Sequence, residues 1–278
     1  MSSDIFAGQP TDPELLAELY DLEHDAVVDD APFVREMAHR APGAVLDLGC
    51  GSGRLFAPLA EGGATRIVGV DGSAALLRRA ELRIAADARL AGMAAAGAID
   101  LVHGDVRALG GLALGGPFSL VLAVGVVPHM DGPEDALRVL SGVRRLLAAG
   151  GRLVLDDIGP GEMPVRDLPL SVDWRRSIGG REVVRRSSLI SRVAPEGLRV
   201  AFSTMVDATQ ADGTIARLPA SYRLWYPFPD ALAAQVSRAG MTVEMSYGSH
   251  DLEPLGPESE RRIFLVTHGS ASAVDRER

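Results

Sequence analysis

The sequence predicts an α/β fold of the doubly wound kind, a mostly parallel seven-stranded sheet with N-terminal helices ahead of it and an antiparallel β lobe inserted late. Three observations predict it. From Ala44 to Ile158 short apolar runs alternate with helical stretches of ten or more residues; strands so separated need crossover connections, and those build parallel sheets covered on both faces. The first apolar run ends in a cluster of glycines, Gly49, Gly51 and Gly53, which reads as a tight strand-to-helix turn. Beyond Ile158 the rhythm changes to β-rich segments before the helix and strand alternation returns.

Leu15, Leu16, Leu19 and Leu22, then Phe33, Val34 and Met37, repeat at helical spacing, so two helices are expected between Thr11 and Arg40. Strands follow at Ala44 to Leu48, Arg66 to Val70, Ala98 to Val102, Phe118 to Val124 and Arg152 to Ile158. Helices are expected at Arg54 to Glu61, Ser73 to Leu90 and Pro133 to Ala148, the last stopped by Gly150 and Gly151. Gly159 to Pro169 is rich in proline and glycine. Glu182 to Val193, Leu198 to Thr209 and Thr214 to Trp225 then read as a three-stranded meander, with turns at Pro195-Glu196-Gly197 and Ala211-Asp212-Gly213. A helix at Pro229 to Ala239 and strands at Met241 to Tyr247 and Arg262 to Thr267 complete the parent pattern. The expected division is a core of residues 1–158 and 227–268, an inserted lobe or lid over 159–226, and a small, charged tail, 269–278, expected to be disordered.

With 278 residues and 47% apolar content, the chain can bury one sizeable core with an appended lobe. Thirty-seven acidic against 28 basic residues leave a formal charge of −9, which offers no general attraction to a phosphate backbone, so nucleic acid is a poor partner. The single cysteine, Cys50, excludes an intrachain disulfide and fits a reducing compartment; cytoplasm is the expected location. Neither a secretory signal nor a run long enough to span a bilayer is visible, so no membrane partner is expected. No His, Cys and Asp cluster has metal-ligand spacing, and no metal is expected. An exposed β-rich lobe could pair with a second copy to give a homodimer.

The chemistry concentrates in Val45-Leu46-Asp47-Leu48-Gly49-Cys50-Gly51-Ser52-Gly53-Arg54. Glycines at the carboxyl end of a strand let a ligand approach the backbone closely. The spacing is not the Gly-x-Gly-x-x-Gly of a nicotinamide site, and Asp47 would repel a pyrophosphate while attracting an ammonium. These residues resemble the class I S-adenosylmethionine-dependent methyltransferases, whose Rossmann-like domain carries an Asp-x-Gly-x-Gly-x-Gly turn; the resemblance covers roughly Tyr20 to Ile158. It implies S-adenosyl-L-methionine as cofactor. It also implies that Asp71, with Gly72 and Ser73, holds the ribose, that Asp105, between Gly104 and Val106, receives the adenine amino group, and that Ala123 and Val124 stand beside the sulfonium. Cys50, flanked by glycines, reads as packing against the cofactor rather than as a nucleophile. Arg54 reads either as a ligand of the cofactor's carboxylate or as a solvated surface arginine.

On the substrate side, His129 follows the fourth strand and so falls at the sheet's carboxyl edge, where it could serve as general base, as substrate orienter, or as a loop residue that closes the pocket. His24 reads as a surface or structural histidine. The sequence further resembles the aminosugar N-methyltransferase branch, which has an N-terminal Tyr-Asp-Leu helix, a histidine after the fourth strand and a β-rich insertion after the fifth. That likeness implies a catalytic-end role for Tyr20 and strengthens the one for His129. In the insertion, alternation places Arg223 and Trp225 on one face and Tyr222, Leu224 and Tyr226 on the other; Tyr222, Arg223 and Trp225 are candidates for substrate binding, or else simply hold the lobe to the core. The expected activity is methyl transfer to an amine or hydroxyl of a small molecule, a natural-product intermediate, with nitrogen favoured over oxygen. The alternatives are a cofactor-binding protein with a non-methylating reaction and an RNA or protein methyltransferase. The latter lacks an Asn-Pro-Pro-aromatic pattern after the fourth strand.

Overall fold

A computed structural model describes residues 13–178, 180–210 and 212–269; nearly all of the expected charged tail lies outside them. Two helices, α1 (Pro13–His24) and α2 (Asp30–Arg40), precede the strand β1 (Gly43–Leu48). Then come α3 (Phe56–Glu61), β2 (Ala64–Asp71), α4 (Ala74–Ala86), α5 (Ala88–Ala95), β3 (Ile99–His103), β4 (Phe118–Val124), α6 (Pro133–Leu146) and β5 (Leu147–Ile158). The inserted segment supplies β6 (Leu168–Ile178), β7 (Arg181–Ala194), β8 (Gly197–Thr209) and β9 (Ile215–Pro227), and the parent pattern resumes with α7 (Pro229–Arg238), β10 (Met241–Tyr247) and β11 (Arg261–His268).

The main sheet has seven strands in the order β10-β11-β5-β4-β1-β2-β3. β3, β2, β1, β4 and β5 run parallel, while β11 is antiparallel to both β5 and β10. Its central strands read Val45-Leu46, Ile67-Val68 and Leu120-Val121-Leu122, nearly continuous apolar runs, because helices cover both faces and leave no wet side to alternate toward. From β1 the chain steps outward through β2 and β3, then returns to the other side of β1 for β4 and β5. Diverging connections at the β1/β4 boundary leave a crevice at the strands' carboxyl ends, the place where open α/β sheets bind ligands.

Two expectations change. The helix expected as one piece from Ser73 to Leu90 breaks at Asp87, whose extended backbone ends α4 and whose side chain accepts from the amides of Arg89 and Leu90 at 2.9 Å each, capping α5. The lobe is a four-stranded antiparallel sheet, β6-β7-β8-β9, rather than a three-stranded meander. The extra strand, β6, is an exposed edge in which Pro169 is tolerated because an edge residue need not donate to a ladder.

The lobe grips α1. Leu16 and Leu19 pack with Val183, Val206 and Leu218 on one side and with Leu76 of α4 on the other. Trp174 Nε1 donates to Glu23 Oε1 at 3.1 Å, Arg185 Nε lies 2.7 Å from the same carboxylate, and Arg176 Nη1 donates to Leu22 O at 3.1 Å. At the other end of the lobe, buried Arg262 pairs with Asp157 at 3.3 Å and also donates to Pro227 O, tying the end of β9 to the main sheet.

Candidate active site

The glycine turn is wound tightly against β2. The amides of Gly49 and Cys50 both donate to Val70 O, at 2.8 and 3.1 Å, and Gly53 N donates to Cys50 O at 2.9 Å. Gly49 and Gly51 have φ of 68° and 55°, a region that strains any residue with a β-carbon. A Cβ at Gly49 would stand 2.8 Å from Val126 Cγ2, and one at Gly51 would stand 3.1 Å from the Tyr20 hydroxyl oxygen. Asp71, at the end of β2, accepts from Gly51 N at 2.9 Å and from Ser73 N at 2.8 Å, so one carboxylate holds both the turn and the start of α4. Ser73 in turn caps α4 through Leu76 N at 3.3 Å.

Under the turn lies Asp47, 2% exposed, with no hydrogen-bond partner for Oδ2. Burial pushes its pKa up to about 7, opposed by Arg54 and aided by the charge of Asp71. An orphaned carboxylate beneath a glycine turn fits a ligand that brings a cation or several N–H donors, and it disfavours a phosphate. Arg54 Nη1 and Nη2 bind Asp30 in a fork at 2.7 and 2.6 Å, and Nη1 also reaches Val27 O at 3.0 Å. The guanidinium is therefore not a solvated surface group; it stands on the cavity wall and fastens the α1–α2 turn over the site.

A cavity of about 890 Å³ opens along the carboxyl ends of the strands. Gly49, Asp71, Gly72, Gly104 and Val106 line one end; Val124, Gly125, His129, His250 and Arg261 line the other; Tyr20, His24 and the α1–α2 turn form the roof. Tyr20 stacks on His24 with ring centroids 3.8 Å apart, and burial pushes its phenol well above the ordinary range, so it is a neutral hydroxyl at the cofactor end. His129 is open to the cavity but hemmed in by protein. That desolvation lowers its pKa and keeps the ring neutral at pH 7.

Several expected site residues do not reach the cavity wall. Asp47, Gly51, Gly53 and Ser73 act from behind it, as described. Cys50 points into the core, where its sulfur would lie 2.8 Å from a Cβ at Gly69; burial raises its thiol pKa well above the usual value, so it packs beneath the turn and not against a ligand. Ala123 is buried within β4. Asp105 is turned onto Arg107: burial works to raise its pKa, but hydrogen bonds from the Arg107 guanidinium and amide, at 2.8 to 3.0 Å, hold it below the ordinary value. Gly104 and Val106 reach the wall in its place.

None of the lobe candidates lines this cavity. The alternation does put them on opposite faces. Trp225 is 1% exposed in the main core, and with Arg223 and Arg199 it borders a separate hollow of about 390 Å³. Tyr222 of β9 stacks on its β8 register partner Phe202, centroids 6.0 Å apart. The lobe reaches the site through α1 instead.

Sequence reasoning missed the wall at the end of β5. There Asp156, 1% exposed, accepts from Arg261 Nε and Nη2 at 2.9 and 2.6 Å and lies 2.8 Å from His250 Nε2. The available signal was Asp156-Asp157 breaking an otherwise apolar strand. The Arg54–Asp30 fork, bridging 24 residues, carried no local signal.

Residues 45–151 match the sequence profile of a family described as a methyltransferase domain. No curated protein matches the chain significantly by sequence. Among solved structures, the CcbJ methyltransferase from Streptomyces caelestis superposes with a TM-score of 0.73 at 20% identity, covering 97% of this chain and 100% of that one. The sugar N-methyltransferase KedS8 from Streptoalloteichus sp ATCC 53650 does so with 0.68 at 23% identity, over 90% and 93%. SAM-bound CalS10, an amino pentose methyltransferase from Micromonospora echinaspora, gives 0.62 at 23%, over 91% and 96%. These likenesses show the fold. The class rests on the domain match over residues 45–151 and the glycine turn: the chain is an S-adenosylmethionine-dependent methyltransferase, with S-adenosylmethionine as its cofactor. Within that class its neighbours include enzymes of the small-molecule branch, sugar N-methyltransferases among them.

Proposed function

We propose that the enzyme methylates an amine of a small, sugar-like natural-product intermediate, with a hydroxyl acceptor as the second reading. The observation that carries this is the division of one cavity. Its glycine-turn end fits the cofactor, with Asp71 toward the ribose, Gly104 and Val106 beside the adenine, and the charge of Asp47 acting on the ammonium from behind the turn. Its β4/β5 end presents neutral His129 and polar His250 and Arg261 to an acceptor. When bound, S-adenosylmethionine supplies an electrophilic methyl group; the chain's own residues hold the acceptor in line and exclude water, a contribution that can reach several kcal/mol.

Nitrogen is favoured because the cavity is rimmed by acids that draw in a cation, Asp29, Asp251 and Glu260, and because similar structures include a sugar N-methyltransferase and an amino pentose methyltransferase. The overall charge of −9 argues against a nucleic-acid acceptor. Among the described residues no helix is long and apolar enough to cross a membrane; a cytoplasmic location is our reading from Cys50, which is a buried free thiol. The test is incubation of the purified chain with S-adenosylmethionine and a panel of amino sugars, sugars and phenols, read by mass spectrometry. Methylated amines with matching S-adenosylhomocysteine are expected; methylation confined to hydroxyls would replace this reading with the second.

A further inference from the structure

At the acceptor end of the cavity, one of the two histidines is held in place and the other is not. His250 lies in the segment between β10 and β11, its ring 5.7 Å from that of Phe33 of α2 and its Nε2 2.8 Å from Asp156 Oδ2. Asp156 is itself fixed, because Arg261 occupies its other oxygen and its own carbonyl accepts from Gly125 N at 2.8 Å. A carboxylate can only accept, so Nε2 carries the ring proton and Nδ1 is left with the lone pair. Asp156 is the register partner of Val124, so this dyad stands at the end of β4, across the cavity from Asp71. His129 lines the same end, but no described residue hydrogen-bonds its ring.

We propose that His250 is the proton acceptor for a substrate that arrives as an ammonium, with Asp156 as its positioning residue; this rests on the methyl-transfer reading above. An amine drawn in by Asp29, Asp251 and Glu260 arrives charged and has no electron pair to share. Its N–H bond breaks, the proton passes to Nδ1 of His250, and the freed pair bonds the methyl carbon as the carbon–sulfur bond breaks with its electrons staying on sulfur. The product leaves as a methylammonium, and the imidazolium returns its proton to water. The charged groups around His250 are Asp156 of β5, Arg261 of β11 and Glu260 just before it, and the adjacent Asp251. Asp29 and Asp30 face the same cavity from the α1–α2 turn, Asp30 already bound to Arg54.

The experiment uses the full chain with an amino hexose as probe, saturating S-adenosylmethionine, and kcat measured from pH 6 to 9. His250→Gln should lower kcat at pH 7 by roughly 100-fold, and the loss should shrink as pH rises and the probe arrives unprotonated. KM for the cofactor should stay within about twofold, since the dyad lies off the glycine turn. Asp156→Asn should give a smaller loss of the same shape. In the cofactor-free protein, two-bond nitrogen–proton correlations should place the His250 proton on Nε2. A proton on Nδ1, a variant equal to wild type at every pH, or a loss independent of pH overturns the proposal. If wild type binds no S-adenosylmethionine or leaves the probe unmethylated, the proposed function fails instead, and the position of the His250 proton then decides this inference.

Discussion

A carboxylate at position 47 costs the fold stability, and the structure shows where the cost arises. Asp47 is buried beneath the glycine turn with one oxygen unpaired, and its pKa stands near 7 in the folded chain against an ordinary value near ~4. The folded state thus holds a proton that the unfolded state has lost over that interval, so Asp47 makes stability fall as pH rises from about 4 to 7. Asp47→Asn should therefore stabilise the cofactor-free protein above pH 7, by roughly 2–4 kcal/mol, and flatten the pH dependence of its melting temperature. The same substitution should weaken S-adenosylmethionine binding, because it removes the negative charge that acts on the ammonium from behind the glycine turn. In wild type, binding below pH 7 should release a proton, detectable as a dependence of calorimetric heat on buffer ionisation. A variant that is less stable yet binds as wild type would sink this account of Asp47.

At the scale of elements, helix ends and strand edges show what was legible. The α4–α5 break rests on one side chain, since Asp87 accepts two amides at the start of α5. Asp87→Ala should cost about 1 kcal/mol, seen as a lower denaturant midpoint with unchanged slope; no change would mean that the helices are set by packing alone. The parallel strands and their order of appearance could be read from apolar runs and spacing, because burial on both faces leaves a dense signal. Asp87 lay inside an alanine- and leucine-rich run whose periodicity hid the cap. β6 was missed although Leu168, Leu170, Val172 and Trp174 alternate through it, because proline and glycine just before it mimic a loop. Positions on the cavity wall were legible where a strand end and its own turn supply them, as at Gly49, Asp71 and Gly72. They were not legible where distant elements converge, as with His250, Asp156 and Arg261, which meet only through the antiparallel return of β11 onto β5.

Taken as a whole, the molecule is a ligand-binding crevice at a sheet's switch point with a roof made of α1 and the turn that follows it. The roof is held from several elements at once. Arg54 clasps Asp30, Arg79 and Arg83 reach Asp21 and Asp25, and the lobe holds Glu23 through Trp174 and Arg185. The inserted sheet braces that roof through Trp174, Val183, Val206 and Leu218, which pack with α1, while Tyr222 stacks on Phe202 and Trp225 packs into the main core. Tyr20 and His24, both on α1, are positioned over the cradle as a consequence.

The glycine turn and Asp71 are the proposed S-adenosylmethionine site. The most direct measurement is isothermal titration of the purified chain with that cofactor, repeated with Asp71→Ala after circular dichroism has confirmed a folded variant, since Asp71 also holds the amides of Gly51 and Ser73. Wild type should bind saturably, one to one, and the folded variant should bind at least tenfold more weakly. Saturable binding unchanged by Asp71→Ala, or no binding by folded wild type, would overturn that assignment.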